Sequence, residues 1–105
     1  KPDDVVNEIS NLEEIVVDEG NVIVLGDLNA DCSYYDNDIE EEFDSWVWII
    51  ADEEDTTVSQ TDCAYDRIIL NRYMNYEYVD YGILKEGIDK SVSDHYLVWV
   101  EIKTN

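Results

Sequence analysis

Three short polar clusters carry most of the chemistry this chain has to offer, and each borders an apolar run. Asp27 and Asn29 follow the run Asn21–Leu25, Asp66 and Arg67 precede Ile68–Leu70, and Asp94 and His95 lead into the run ending at Ile102. Oxygen donors from Asp and Asn suit a hard cation such as Mg2+ held together with a substrate phosphate. A carboxylate beside an imidazole fixes its tautomer and can make it a general base. Polar groups gathered at one edge of a sheet are how sites are built on open α/β folds. Together the three clusters predict metal-assisted phosphodiester chemistry. Singly each is weak, and an isolated Ser-Asp-His is far more often a cap or a turn than a catalyst.

The elements that must position these residues are legible in outline. Pro2, Asp3 and Asp4 suit a helix N-terminus. Val5, Ile9, Leu12 and Val16 then recur at helical spacing, and Gly20 is the expected stop. Asn21–Leu25 reads as a strand, 26–31 as a polar loop, and 34–44 as ambiguous, with a helical turn expected in "DIEEEF" (38–43). Ser45–Ile50 is rich in aromatic and β-branched residues and reads as a strand. Residues 51–62 read as a loop, Ile68–Leu70 as a strand, "YEYVDY" (76–81) as an edge strand, 84–90 as a short helical turn, and His95–Ile102 as the final strand. The expected fold is α/β, a single domain over 1–105. One N-terminal helix packs on a mainly antiparallel sheet of about four to six strands. Val, Ile and Trp fall on both sides of several strands, which predicts a second apolar face in need of a partner layer that this chain does not contain.

Length and composition set the bounds. With 105 residues, 45% of them hydrophobic, and three Trp and eight Tyr, the chain is long enough for one core and does not read as disordered. No apolar run reaches the roughly 18 residues that a membrane span needs. No signal-peptide pattern is read, and the start at Lys1 is that expected of a processed product or a fragment. The abnormal feature is charge: 27 acidic against 6 basic residues give a formal net charge of -21. Self-repulsion at that density calls for bound cations, a basic partner or salt. The plain alternative is a solvated acidic surface that keeps the protein soluble. The same charge opposes unaided binding to nucleic acid. Cys32 and Cys63 could form a disulfide enclosing about 30 residues, or stay as two buried thiols. They are too few for a Cys-based zinc site, and a paired arrangement points to an oxidising, extracellular setting.

"GDLNADCSY" (26–34), "DTTVSQTDCAYDRI" (55–68) and "SDHYLV" (93–98), in this order, resemble the C-terminal half of the deoxyribonuclease I family. The opening "KPDDVVNEISNLEEIV" resembles the family helix that precedes the "GD-N" strand. The resemblance implies half of a four-layered sandwich of the endonuclease/exonuclease/phosphatase type, in a family that cleaves DNA with divalent cations. It implies metal and phosphate binding for Asp27 and Asn29. Asp66 becomes a carboxylate supporting the site, with Arg67 following it as in the family, and Asp94 and His95 an Asp–His pair acting on water or phosphate. It further implies a Cys32–Cys63 disulfide and a structural Ca2+ loop at Asp55, Thr57 and Thr61. Simple turn chemistry is the alternative for the Thr56-Thr57 pair.

The departures from the family pattern matter as much. The family's N-terminal half, with a metal-binding Glu and a second catalytic His, is not matched, and His95 is the only histidine here. Loss of a general acid alone typically costs about 10²–10⁴-fold. "YDNDIEEEFD" (35–44) puts acids where the family has polar and basic contacts, and 71–92 is shorter than the family pattern. Leu97 stands where the family has Pro, so the last strand can pair without interruption. The expected function is a catalytically incomplete, Ca2+-stabilised, disulfide-linked module that assembles with a copy of itself or with another chain. One alternative is the C-terminal piece of a split Mg2+-dependent endonuclease, active only with its missing half. Another is an acidic decoy for a basic protein. The chain is expected to be secreted, with neither DNA nor a membrane as a partner of the chain alone.

Overall fold

The computed structural model describes residues 2–36 and 40–103. Helix α1 spans Pro2–Ile15. The strands are β1 (Ile23–Asp27), β2 (Val47–Trp48), β3 (Asp66–Leu70), β4 (Tyr78–Leu84) and β5 (Leu97–Ile102), with a one-turn helix α2 at Arg72–Asn75 before β4. Among the described residues there are five strands, within the expected four to six, and they divide into a three-stranded sheet ordered β1-β3-β2 and a β4-β5 hairpin. All pairings are antiparallel.

The central strand explains the division. Arg67, Ile68, Ile69 and Leu70 are all buried, so β3 is covered on both faces. Ile69 faces α1, in a core with Val5, Ile9, Ala30, Tyr35 and Phe43. Ile68 and Leu70 point the opposite way, as period-two alternation requires, and meet Tyr78, Tyr81, Ile83, Val98, Val100 and Ile102 of the hairpin. The second apolar face of the three-stranded sheet, expected to need a partner, is thus covered within the chain by the hairpin. The apolar face left open lies one layer further out, where Leu84, Leu97 and Trp99 are 45%, 56% and 41% exposed. Gly82 pairs with Trp99 there, and its missing side chain makes room for the indole.

Several boundaries differ from the expected ones, each for a local reason. The helical stripe ends at Ile15, and Gly20, in the left-handed region at φ +69°, turns the loop that follows rather than capping the helix. Strand β1 runs two residues later than expected, which draws Asp27 into the ladder opposite Asp66. Strand β2 shrinks to two residues, although Ile49 N–H still donates to Ile68 O at 2.9 Å. The helical turn expected at 84–90 is a tight turn instead, closed by Ile88 N–H to Lys85 O with Gly87 at φ +78°. Asn71, whose side chain accepts from Met74 N–H at 2.9 Å, caps the unforeseen helix α2. The turn expected in "DIEEEF" begins at Asp38 and Ile39, outside the described residues. The final strand starts at Leu97, not His95.

Ile69 is fully buried at the centre of the α1 face, whereas Leu97 lies on the open hairpin face. Ile69→Ala should lower the unfolding free energy by about 2–5 kcal/mol in urea melts. Leu97→Ala should stay within about 0.5 kcal/mol of the parent chain.

Candidate functional site

The β1–β3 register places Asp27 directly opposite Asp66 at the end of the ladder. Like charges in that relation repel, so the pair needs a cation or a proton donor between them. His95 supplies one. Its Nδ1 lies 2.7 Å from Asp66 Oδ2 and its Nε2 3.5 Å from Asp27 Oδ2. A carboxylate can only accept, so Nδ1 carries the proton and donates it to Asp66. The side chains of His95, Asp66 and Asp27 are 29%, 13% and 43% exposed, so the cluster forms a shallow site open on the Asp27 side.

Neighbouring backbone sets each group in place. Asn29, in the left-handed region at φ 50°, donates its N–H to Asp27 Oδ1 at 3.1 Å and turns that carboxylate toward the ring. His95 is held by an isolated bridge to Thr57, flanked by Val58 N–H to Asp94 O and Tyr96 N–H to Thr56 O. Thr56 Oγ1 also accepts from Asp66 N–H at 3.1 Å, which ties the start of β3 to the same loop. Asp31 accepts from Ala64 N–H at 2.7 Å, and the adjacent Cys32–Cys63 disulfide joins the segment after β1 to the one before β3. The two cysteines are therefore paired, not separate thiols. Sequence reading named Thr56 only for turn chemistry and Asp31 only as part of a polar loop. Their small polar side chains, each one or two residues from a cysteine or a site residue, were the only signal available.

Other expected residues fall at different distances from the cluster. It is Asp66, not the adjacent Asp94, that bonds the imidazole. Asp94 lies beside it, exposed, and contributes its main-chain carbonyl to the Thr57 loop. Asp55, Thr57 and Thr61 share one curled loop. Asp55 Oδ1 accepts from Thr57 N–H at 3.0 Å. Ser59 Oγ lies 3.1 Å from Thr57 Oγ1 and 2.8 Å from Thr61 Oγ1, linking the two hydroxyls. Ser59 was not foreseen, although the alternating hydroxyls of Thr57, Ser59 and Thr61 signal such a ladder.

Among the described residues, Asp27, Asp66 and His95 offer ligand atoms within 4.8 Å of one another. With Nδ1 engaged by Asp66, the groups left to hold a cation are carboxylate oxygens, with Nε2 beside them. That donor set fits a hard divalent ion such as Mg2+ or Mn2+.

The hydrogen bond that His95 donates to Asp66 is the main cause that raises the His95 pKa above its ordinary 6.5. Burial opposes the shift, and the charges of Asp66, Asp27 and Asp94 reinforce it. A raised folded-state pKa stabilises the fold fully below the unfolded value, and this contribution fades as pH rises through the folded value. Asp66→Asn should therefore lower the His95 pKa in an NMR titration. It should also lower the melting temperature most below about pH 6.5, the gap to the parent narrowing as pH rises.

No family model matches the chain. Individual relatives do. The chain is 31% identical to deoxyribonuclease-1 of Gallus gallus over 98% of its own length and 44% of that protein. For deoxyribonuclease-1 of Homo sapiens the identity is 32%, over 97% of the chain and 44% of the relative. For deoxyribonuclease gamma of Homo sapiens it is 43% over 81 residues, 66% of the chain and 27% of the relative. The chain thus spans less than half the length of the relatives it matches, and it belongs, as a partial-length homologue, to the deoxyribonuclease I family.

Proposed function

We propose that the chain carries part of a divalent-metal-dependent site for cleaving DNA phosphodiesters, completed by a second polypeptide segment. The observation that carries this reading is the convergence of Asp27, Asp66 and His95. Asp66 holds the imidazole in the tautomer that leaves Nε2 free to take or return a proton. Asp27, steered by the Asn29 N–H, would hold the cation, with Asn29 and Asp94 at the rim of the phosphate site. A bound divalent ion would neutralise charge on the phosphate oxygens. Completion is required because the chain has a single histidine and matches 44% of its deoxyribonuclease-1 relatives. The acid-rich stretch around Glu40–Asp44 also opposes docking of a polyanion to this chain alone.

The open hairpin face and the net charge of -21 favour a second reading, a binding or structural module with no chemistry of its own. Leu84, Leu97 and Trp99 would then receive a copy of the chain or another protein. Both readings include structural Ca2+ at Asp55, Thr57 and Thr61, and secretion, which the disulfide supports.

The purified chain should not nick supercoiled plasmid in Mg2+ plus Ca2+. Addition of the segment of human deoxyribonuclease-1 that the chain does not match should restore nicking, and His95→Ala should remove it again. Nicking by the chain alone would show a complete site, and no nicking in any mixture would favour the module. Ca2+ should raise the melting temperature, and Asp55→Asn should abolish the rise, because a ligand that binds only the native state stabilises it. An identical melting temperature in chelator would rule out the Ca2+ loop.

A further inference from the structure

Arg67 is fully buried, one residue from Asp66, in the middle strand of the sheet. Its guanidinium makes four hydrogen bonds to three separate segments. Nε donates to Ala64 O at 2.7 Å, and Nη1 to Ile50 O at 2.5 Å. Nη2 donates to Ala30 O at 2.9 Å and to Asp52 Oδ1 at 2.7 Å. The plane lies over Trp48, 5.4 Å from the ring centroid. Only one of these partners is charged, and its side chain is 36% exposed, so the cation is held mostly by backbone carbonyls.

We infer that Arg67 is a positioning residue that sets the gap between the Asp27 loop and the Asp66–His95 pair. Ala30 follows Asn29, the residue whose N–H steers Asp27. Ala64 follows Cys63 and lies two residues before Asp66. One rigid fork therefore measures the distance between the segment after β1 and the approach to β3, at the end of the ladder where the two carboxylates meet. Ile50 and Asp52 anchor the same fork to the segment after β2. A lysine could keep the charge and reach one of these carbonyls. It could not hold three segments at once, because its ammonium is a point donor on a flexible stem. Hydrophobic packing alone would not need the fork either, since burying a cation is costly unless its hydrogen bonds are satisfied.

This role rests on the reading of Asp27, Asp66 and His95 as a cation-holding site, so the test includes readouts that need no cation. In the parent chain, NMR should show the Arg67 side-chain N–H protons exchanging far more slowly than those of Arg72, the only other arginine and an exposed one. Arg67→Lys should keep the far-UV circular dichroism. It should lose the downfield His95 Nδ1–H resonance that reports the bond to Asp66, and shift the amides of Asp27–Ala30. Its affinity for Mn2+ should fall by about tenfold or more. An Arg67→Lys chain with a parent-like His95 resonance and parent-like Asp27–Ala30 amides would overturn the role. If that variant does not fold, the parent chain decides: slow Arg67 exchange supports the fork, and exchange as fast as that of Arg72 overturns it. Failure of the parent chain to bind Mn2+ would count against the cation site alone, and the His95 resonance would still decide the role of Arg67.

Discussion

Two carboxylates face each other where β1 ends and β3 begins, and most of the surrounding structure serves to make that juxtaposition tolerable. In an antiparallel ladder the register fixes Asp27 against Asp66 as firmly as it fixes Ile23 against Leu70. The strand cannot slip by one residue to separate the acids, because every apolar side chain of β3 would then change faces. Repulsion at this position is therefore locked in by the core, and an imidazole between the two oxygens compensates it. The bridge from Thr57 to His95, the disulfide and the Asn29 turn all hold the strand end in this arrangement.

How much of this was legible in sequence follows physical range. The helix was readable because Val5, Ile9, Leu12 and Val16 repeat with the helical period and face one core. Strand β3 was readable because a run buried on both faces is apolar without alternation. The site residues could be named, but not their pairing. Asp94 adjoins His95 in the chain, yet neighbouring residues in extended backbone point to opposite sides, and the ring met Asp66, 29 residues away. Local turns were the weakest part. The sequence around Gly87 could not by itself separate a helical turn from a tight turn, and Asn71 was a cap whose helix is only four residues long. The split of five strands into two sheets depends on which apolar faces meet, and no local pattern records that.

The distribution of order around the cluster is uneven. Asp66 and His95 are fixed by hydrogen bonds and half-buried surroundings, whereas Asp27 opens toward solvent. A site open on one side and braced on the other suits a ligand that arrives from outside and is met by groups already in place.

Gly82 and Trp99 place a different kind of constraint on the chain. A methyl group at position 82 would come within 2.5 Å of the indole ring, closer than any side chain tolerates. The two positions are therefore not free to drift independently. A side chain at 82 would require the Trp99 indole to move aside or be replaced. The open hairpin face thus carries a size limit set by its own aromatic ring, so the shape it presents is fixed by the pairing of residue 82 with residue 99.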